Sequence, residues 1–168
     1  MEYLSENLEY LSENLTELIL KYNFGSKGQP QIKEVIIKEC LISVSQERNI
    51  ISTPIDGRKG TIKEYISDSD YQITLDVGIT NIDFYNIENN TKHQEYPLDK
   101  VSELVKFLRV EDTLIVSNDF LKLFRIYDFV VTGYTVPQET HSNRQSLNIK
   151  CISDAAFEIK IQNDKKGN

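Results

Sequence analysis

The sequence predicts an α+β chain dominated by strands: an antiparallel barrel or sandwich with one packed helix, preceded by an N-terminal amphipathic helix. Three observations predict it. Runs rich in Ile, Val and Tyr recur from Ile32 to Ile161, several with period-two alternation. Within that body, one long stretch repeats apolar residues at helical spacing. Ahead of it stands a leucine heptad, set apart by Gly25-Ser26-Lys27-Gly28-Gln29-Pro30. The expected organisation is a heptad helix over 1–24, a linker over 25–31, a β-rich body over 32–161 and a polar tail over 162–168.

The heptad is a duplication. Glu2-Tyr3-Leu4-Ser5-Glu6-Asn7-Leu8 recurs as Glu9-Tyr10-Leu11-Ser12-Glu13-Asn14-Leu15. Leu4, Leu8, Leu11, Leu15 and Leu18 alternate steps of four and three, which lines one face of a helix. The spacing predicts a helix from about residue 2 to 22, with glutamates near its positive end. It is too short for an assured coiled coil, which takes three or four heptads. Three readings stand open: a helix docked on its own body, an arm laid on a neighbouring subunit, or a recent duplication with no structural role.

Residues 32–45 read as strand, and Ile50-Ile51 leads into a turn at Pro54-Ile55-Asp56-Gly57, where Asp-Gly is a strong turn dipeptide. Thr61–Ile66 and Tyr71–Val77 read as two strands joined by a polar connection, Ser67–Asp70. Tyr71, Ile73, Leu75 and Val77 share one face, as in a half-buried strand. Ile79 to Tyr85 reads as a continuing strand, and 86–95 as a polar loop. Pro97 suits a first helical turn. Leu98, Val101, Leu104, Val105 and Leu108 follow on one face of a helix ending near Arg109. Thr113–Ser117 is a short strand, and Asn118-Asp119 caps a brief turn through Leu123. Strands are expected over Phe124–Val136, Ser146–Ile152 and Ala156–Ile161.

The chain has 168 residues and a formal net charge of -7, which argues against a general phosphate-binding face. No apolar run approaches a membrane span, and the N-terminus does not read as a signal peptide. Cys40 and Cys151 sit in apolar strand sequence, so buried free thiols are expected rather than a disulfide. His93 and His141 lie in polar stretches without spaced partners. Asp68-Ser69-Asp70 fails as a calcium loop, because its sixth and twelfth positions are Ile73 and Ile79. Gly57-Arg58-Lys59-Gly60-Thr61 fails as a phosphate loop, because the lysine precedes the second glycine and a strand follows. It reads as a tight hairpin with a basic tip. No catalytic, cofactor or metal site is expected. The candidate interface residues are Leu4, Leu8, Leu11, Leu15, Leu18, Arg58 and Lys59.

Several segments taken together resemble a known group. They are Thr53-Pro54-Ile55-Asp56-Gly57-Arg58-Lys59-Gly60-Thr61-Ile62-Lys63-Glu64, Asp70–Leu75, Tyr96-Pro97 opening a helix, Leu121–Ile126, and Asn143-Arg144-Gln145-Ser146 leading to Ser153-Asp154. In this order they resemble an uncharacterised family encoded by phages and prophages of Bacteroidetes-type bacteria. The plan is also similar to small tail proteins of contractile-tailed phages. The resemblance covers about residues 50–155 and supplies no catalytic residues. It implies a structural subunit of a tail or baseplate, made in the host bacterial cytoplasm and then built into the virion. The implied partners are other copies and other tail proteins, with no nucleic acid, membrane, cofactor or small-molecule substrate. The alternative is a soluble acidic adaptor that masks a basic partner.

Overall fold

The computed structural model describes residues 17–25, 28–81, 96–139 and 143–154. They form one antiparallel sheet of seven strands with two short helices. The strands are β1 (Leu18–Asn23), β2 (Ile32–Ile37), β3 (Glu39–Pro54), β4 (Thr61–Thr80), β5 (Leu114–Ser117), β6 (Asp128–Thr135) and β7 (Arg144–Ser153). The helices are α1 (Leu98–Leu108) and α2 (Asp119–Lys122). The sheet order is β2-β1-β5-β6-β7-β4-β3.

The two edge strands of this order are consecutive in the chain, with only Lys38 between them. Ile37 pairs with Leu18 of β1 and Glu39 pairs with Gly78 of β4, so both ends of the sheet meet at one corner. β2 also touches β4 there. The sheet therefore curls, but no pairing between β2 and β3 closes it into a barrel among the described residues. Of the two expected architectures, the sandwich-like one fits.

The concave side holds the core. Leu18 and Leu20 of β1, Ile73, Leu75 and Val77 of β4, and Leu147, Ile149 and Cys151 of β7 point inward. α1 contributes Val101, Leu104, Phe107 and Leu108, the stripe its spacing predicts. Val101 donates its N–H to Pro97 O at 3.0 Å, which opens the first turn. Asn118 caps α2 by accepting from Leu121 N at 3.1 Å.

Four elements depart from the sequence expectation. Leu18–Asn23 is a strand and not the end of a helix. Leu18, Leu20 and Tyr22 alternate as well as they fit a heptad, and pairing with β2 on one side and β5 on the other decides the matter. The described residues of the expected linker, Gly25 and 28–31, lie between the paired strands β1 and β2, and Asn23 Oδ1 accepts from Gly25 N and Gln31 N. Residues 32–45 divide at Lys38 into β2 and the start of β3. The strand expected from Phe124 starts only at Asp128. Arg125 adopts φ 58° to close α2, with Ile126 N donating to Leu121 O at 3.2 Å, so the chain is still turning there.

The fifth difference matters most. β4 is one strand of 20 residues running through Ser67–Asp70 without a break. The polar run is absorbed by two irregularities in the pairing with β3. Ser69 and Asp70 stand opposite Glu47 alone, and Ile66 is the extra residue between Ser67 and Tyr65. The heptad leucines Leu4, Leu8, Leu11 and Leu15, both histidines and the strand expected over 156–161 lie outside the described residues.

Candidate interface: a two-stranded arm

β7 pairs with β4 only from Gln72 to Thr80. From Gln46 to the turn and back to Asp70, β3 and β4 therefore pair only with each other among the described residues. At roughly 3.3 Å per residue the strands carry this ribbon about 25 Å out from the body. Three contacts stitch its base: Gln46 Nε2 donates to Ser69 O at 2.9 Å, Asn49 Nδ2 to Ser67 Oγ at 3.0 Å, and Arg48 pairs with Asp68 at 3.4 Å.

The turn at the far end follows the sequence closely. Arg58 N donates to Ile55 O at 3.2 Å, and Gly57 takes φ 80°, a conformation glycine adopts freely. Arg58 and Lys59 are exposed at the tip, with Lys63 just behind.

Both faces of the arm carry apolar side chains in solvent. Ile50 and Tyr65 are direct partners and share one face. Ile51 and Ile62 lie diagonally on the other, since Ile51 opposes Glu64 and Ile62 opposes Thr53. Ile51 is 52% exposed, Ile62 58% and Tyr65 57%. Among the described residues no third strand or helix meets either face. An isolated two-stranded ribbon is at best marginally stable in water.

At the arm's base lies a cleft of about 350 Å³ lined by Tyr71, Phe124, Tyr127, Asp128 and Asp154, among others. Tyr71 and Phe124 meet edge to face at 5.8 Å. Burial, and then the neighbouring Asp154, push the Asp128 carboxyl above its ordinary range. Asp154 accepts a hydrogen bond from the Thr113 hydroxyl.

A larger cleft, about 500 Å³, lies toward the other end of β3 and β4 around Gly78. Its charged groups are largely spoken for. Arg144 pairs with Glu39 at 3.4 Å, and Asp76 accepts from Asn148 Nδ2 at 2.6 Å. Among the described residues no three His, Cys, Asp or Glu side chains gather as a metal site would require. No described helix is long and apolar enough to cross a membrane.

Of the residues singled out from sequence, Arg58 and Lys59 stand together at the arm's tip, while Leu18 is 0% exposed and belongs to the core. Sequence reasoning missed Ile50, Ile51, Ile62, Tyr65 and Ile66 as surface residues. Apolar residues in strand sequence are ordinarily assigned to a core, and it is the lack of a neighbouring strand among the described residues that exposes these.

Fold and surface together define an antiparallel β-sheet domain with one hairpin drawn out into an arm. The chain belongs to the family described as "Domain of unknown function (DUF6046)", which matches residues 35–164 and so includes the whole arm. No curated protein matches the chain. Among solved structures it is similar to a chain in the virion of a native gene transfer agent particle. That likeness has a TM-score of 0.40 at 12% identity and covers 83% of this chain and 92% of that one. It is also similar to a chain in the tail of an empty gene transfer agent particle of C6 symmetry, with a TM-score of 0.41 at 14% identity, covering 84% and 93%. At these scores the likeness carries no function across.

Proposed function

We propose that the protein is a structural assembly subunit of a phage tail, baseplate or related contractile injection machine, acting through protein–protein contacts made by its arm. The observation that carries this reading is the arm itself: a ribbon with exposed Ile or Tyr on both faces and nothing among the described residues to cover them. Covering five such half-exposed side chains is worth on the order of 5 kcal/mol, enough to bias a subunit toward the assembled state. The placement in a tail or baseplate comes from the sequence resemblance over residues 50–155. In this reading the protein is made in the host cytoplasm, joins other copies and other tail proteins in the virion, and performs no chemistry of its own.

The test is an arm-shortened variant in which residues 48–68 are replaced by Asn-Gly, a hairpin turn suited to two antiparallel strands. The body should fold as before by circular dichroism and thermal melting. Self-association by sedimentation, and incorporation into particles, should be lost. A full-length chain that stays monomeric at every concentration and is missing from particles would sink the reading.

A further inference from the structure

We propose that the tip of one copy's arm seats in the aromatic cleft at the base of a second copy's arm, where Arg58 and Lys59 meet Asp128 and Asp154. This rests on the assembly reading and names the arm's partner.

The cleft is short of a cation. Asp128 and Asp154 share it, and neither forms an ion pair among the described residues. Arg125 lines the same cleft but lies too far from both for a salt bridge. Two carboxylates beside one another repel, and the upward push on Asp128 records part of that cost. An incoming guanidinium and ammonium would relieve it. The walls suit them, because cations favour aromatic faces and Tyr127 offers its ring at 54% exposure.

The tip is where this chain concentrates positive charge. Arg58, Lys59 and Lys63 fall within six positions, and with Asp56 and Glu64 flanking them the tip still keeps a net positive charge, in a protein of net charge -7. A second copy is therefore an electrostatically suited partner for the tip.

The contact runs between copies because the arm's length forbids it within one. Tyr71, the residue at which the arm leaves the body, is itself a wall of the cleft. The tip stands about 25 Å away along a paired ribbon that does not fold back. A tip seated on a second copy draws the arm behind it across that copy, and one apolar face with it. Leu123, exposed and next in sequence to the cleft residue Phe124, adds apolar surface for it to meet.

Charge reversal tests the contact in the full chain. The tip variant is Arg58→Glu with Lys59→Glu; the cleft variant is Asp128→Lys with Asp154→Lys. Each should weaken self-association by about ten-fold or more, as loss of a close charge pair does. Carrying all four changes in one chain should restore it, as should mixing the two variants. Raising the salt concentration should weaken the wild-type contact. Should the lysine variant fail to fold, Asp128→Asn with Asp154→Asn decides, with weakened association expected. Unchanged association in a folded cleft variant would overturn the proposal. If arm shortening still abolished association, the assembly reading would stand and the arm's partner would lie elsewhere.

Discussion

Arg144 reaches Glu39 at 3.4 Å directly across Gly78, so that an ion pair from β7 and β3 bridges the one position of β4 that has no side chain. A Cβ on Gly78 would stand 2.6 Å from Glu39 Oε2 and 2.8 Å from Arg144 Nη2. Both are the mobile ends of half-exposed side chains, so they would swing aside rather than break the sheet. Gly78→Ala should thus cost no more than the pair itself, about 1 kcal/mol or less. In a double-mutant cycle by urea denaturation, Gly78→Ala and Glu39→Gln should be non-additive. Additive losses would show that the pair does not span the glycine.

Gln145 is a buried amide with its polar atoms engaged. Its Oε1 accepts from the Tyr96 hydroxyl at 2.7 Å, and its Nε2 donates to Pro137 O at 2.7 Å and Ser146 O at 2.8 Å. It ties Tyr96, two residues ahead of α1, to the segment between β6 and β7. Gln145→Leu strands those partners and should cost about 2–3 kcal/mol, while Tyr96→Phe should cost about 1 kcal/mol. Equal losses from the two changes, measured by chemical denaturation, would contradict this assignment.

Truncation separates the two ends of the N-terminal region. β1 lies inside the sheet, between β2 and β5, with Leu18 and Leu20 in the core. Removing residues 1–16 leaves β1 in place and should preserve a cooperative melt. Removing 1–28 takes away an interior strand and should abolish it. A cooperative melt from the shorter chain would show that β1 is dispensable.

Cys40 and Cys151 are both buried and free. Burial first, and then Asp76, pushes the Cys40 thiol up to about 12. Burial first, and then Cys40, pushes the Cys151 thiol up to about 12. The thiolate is the reactive form, so neither should be alkylated by iodoacetamide in the native protein at mildly alkaline pH. Both should react once it is unfolded. Rapid native labelling seen by mass spectrometry would be inconsistent with this burial.

Asp128 should make stability depend on pH. Its carboxyl titrates above the ordinary value of 3.8 in the fold, first through burial and then through Asp154. Between the unfolded and folded values the native state holds the proton more tightly. The associated stability is present below the unfolded value and is lost as pH rises through the folded one. In dilute protein, Asp128→Asn should therefore raise Tm near neutral pH and change it little well below the carboxylate range. A Tm difference that is the same at both pH values would rule this out.

What the sequence determined alone was whatever depends on near neighbours. The 3.6-residue spacing of Val101, Leu104 and Leu108 marked α1, Asp56-Gly57 marked the turn, and Asn118 marked the cap of α2. In each, the groups that must be satisfied lie within a few residues. The pairings had to await the tertiary structure. Leu18 fits a heptad and an alternation equally, and only β2 and β5 beside it make it a strand. Ser67–Asp70 reads as a break, yet β3 holds it in register through two bulges. Tyr96 and Gln145 stood in separate motifs until the fold joined them. Above all, Ile73 and Ile62 sit on one strand with the same local character, and one is 1% exposed and the other 58%. Burial is decided by whether a third strand arrives alongside, and β7 reaches the first and stops short of the second.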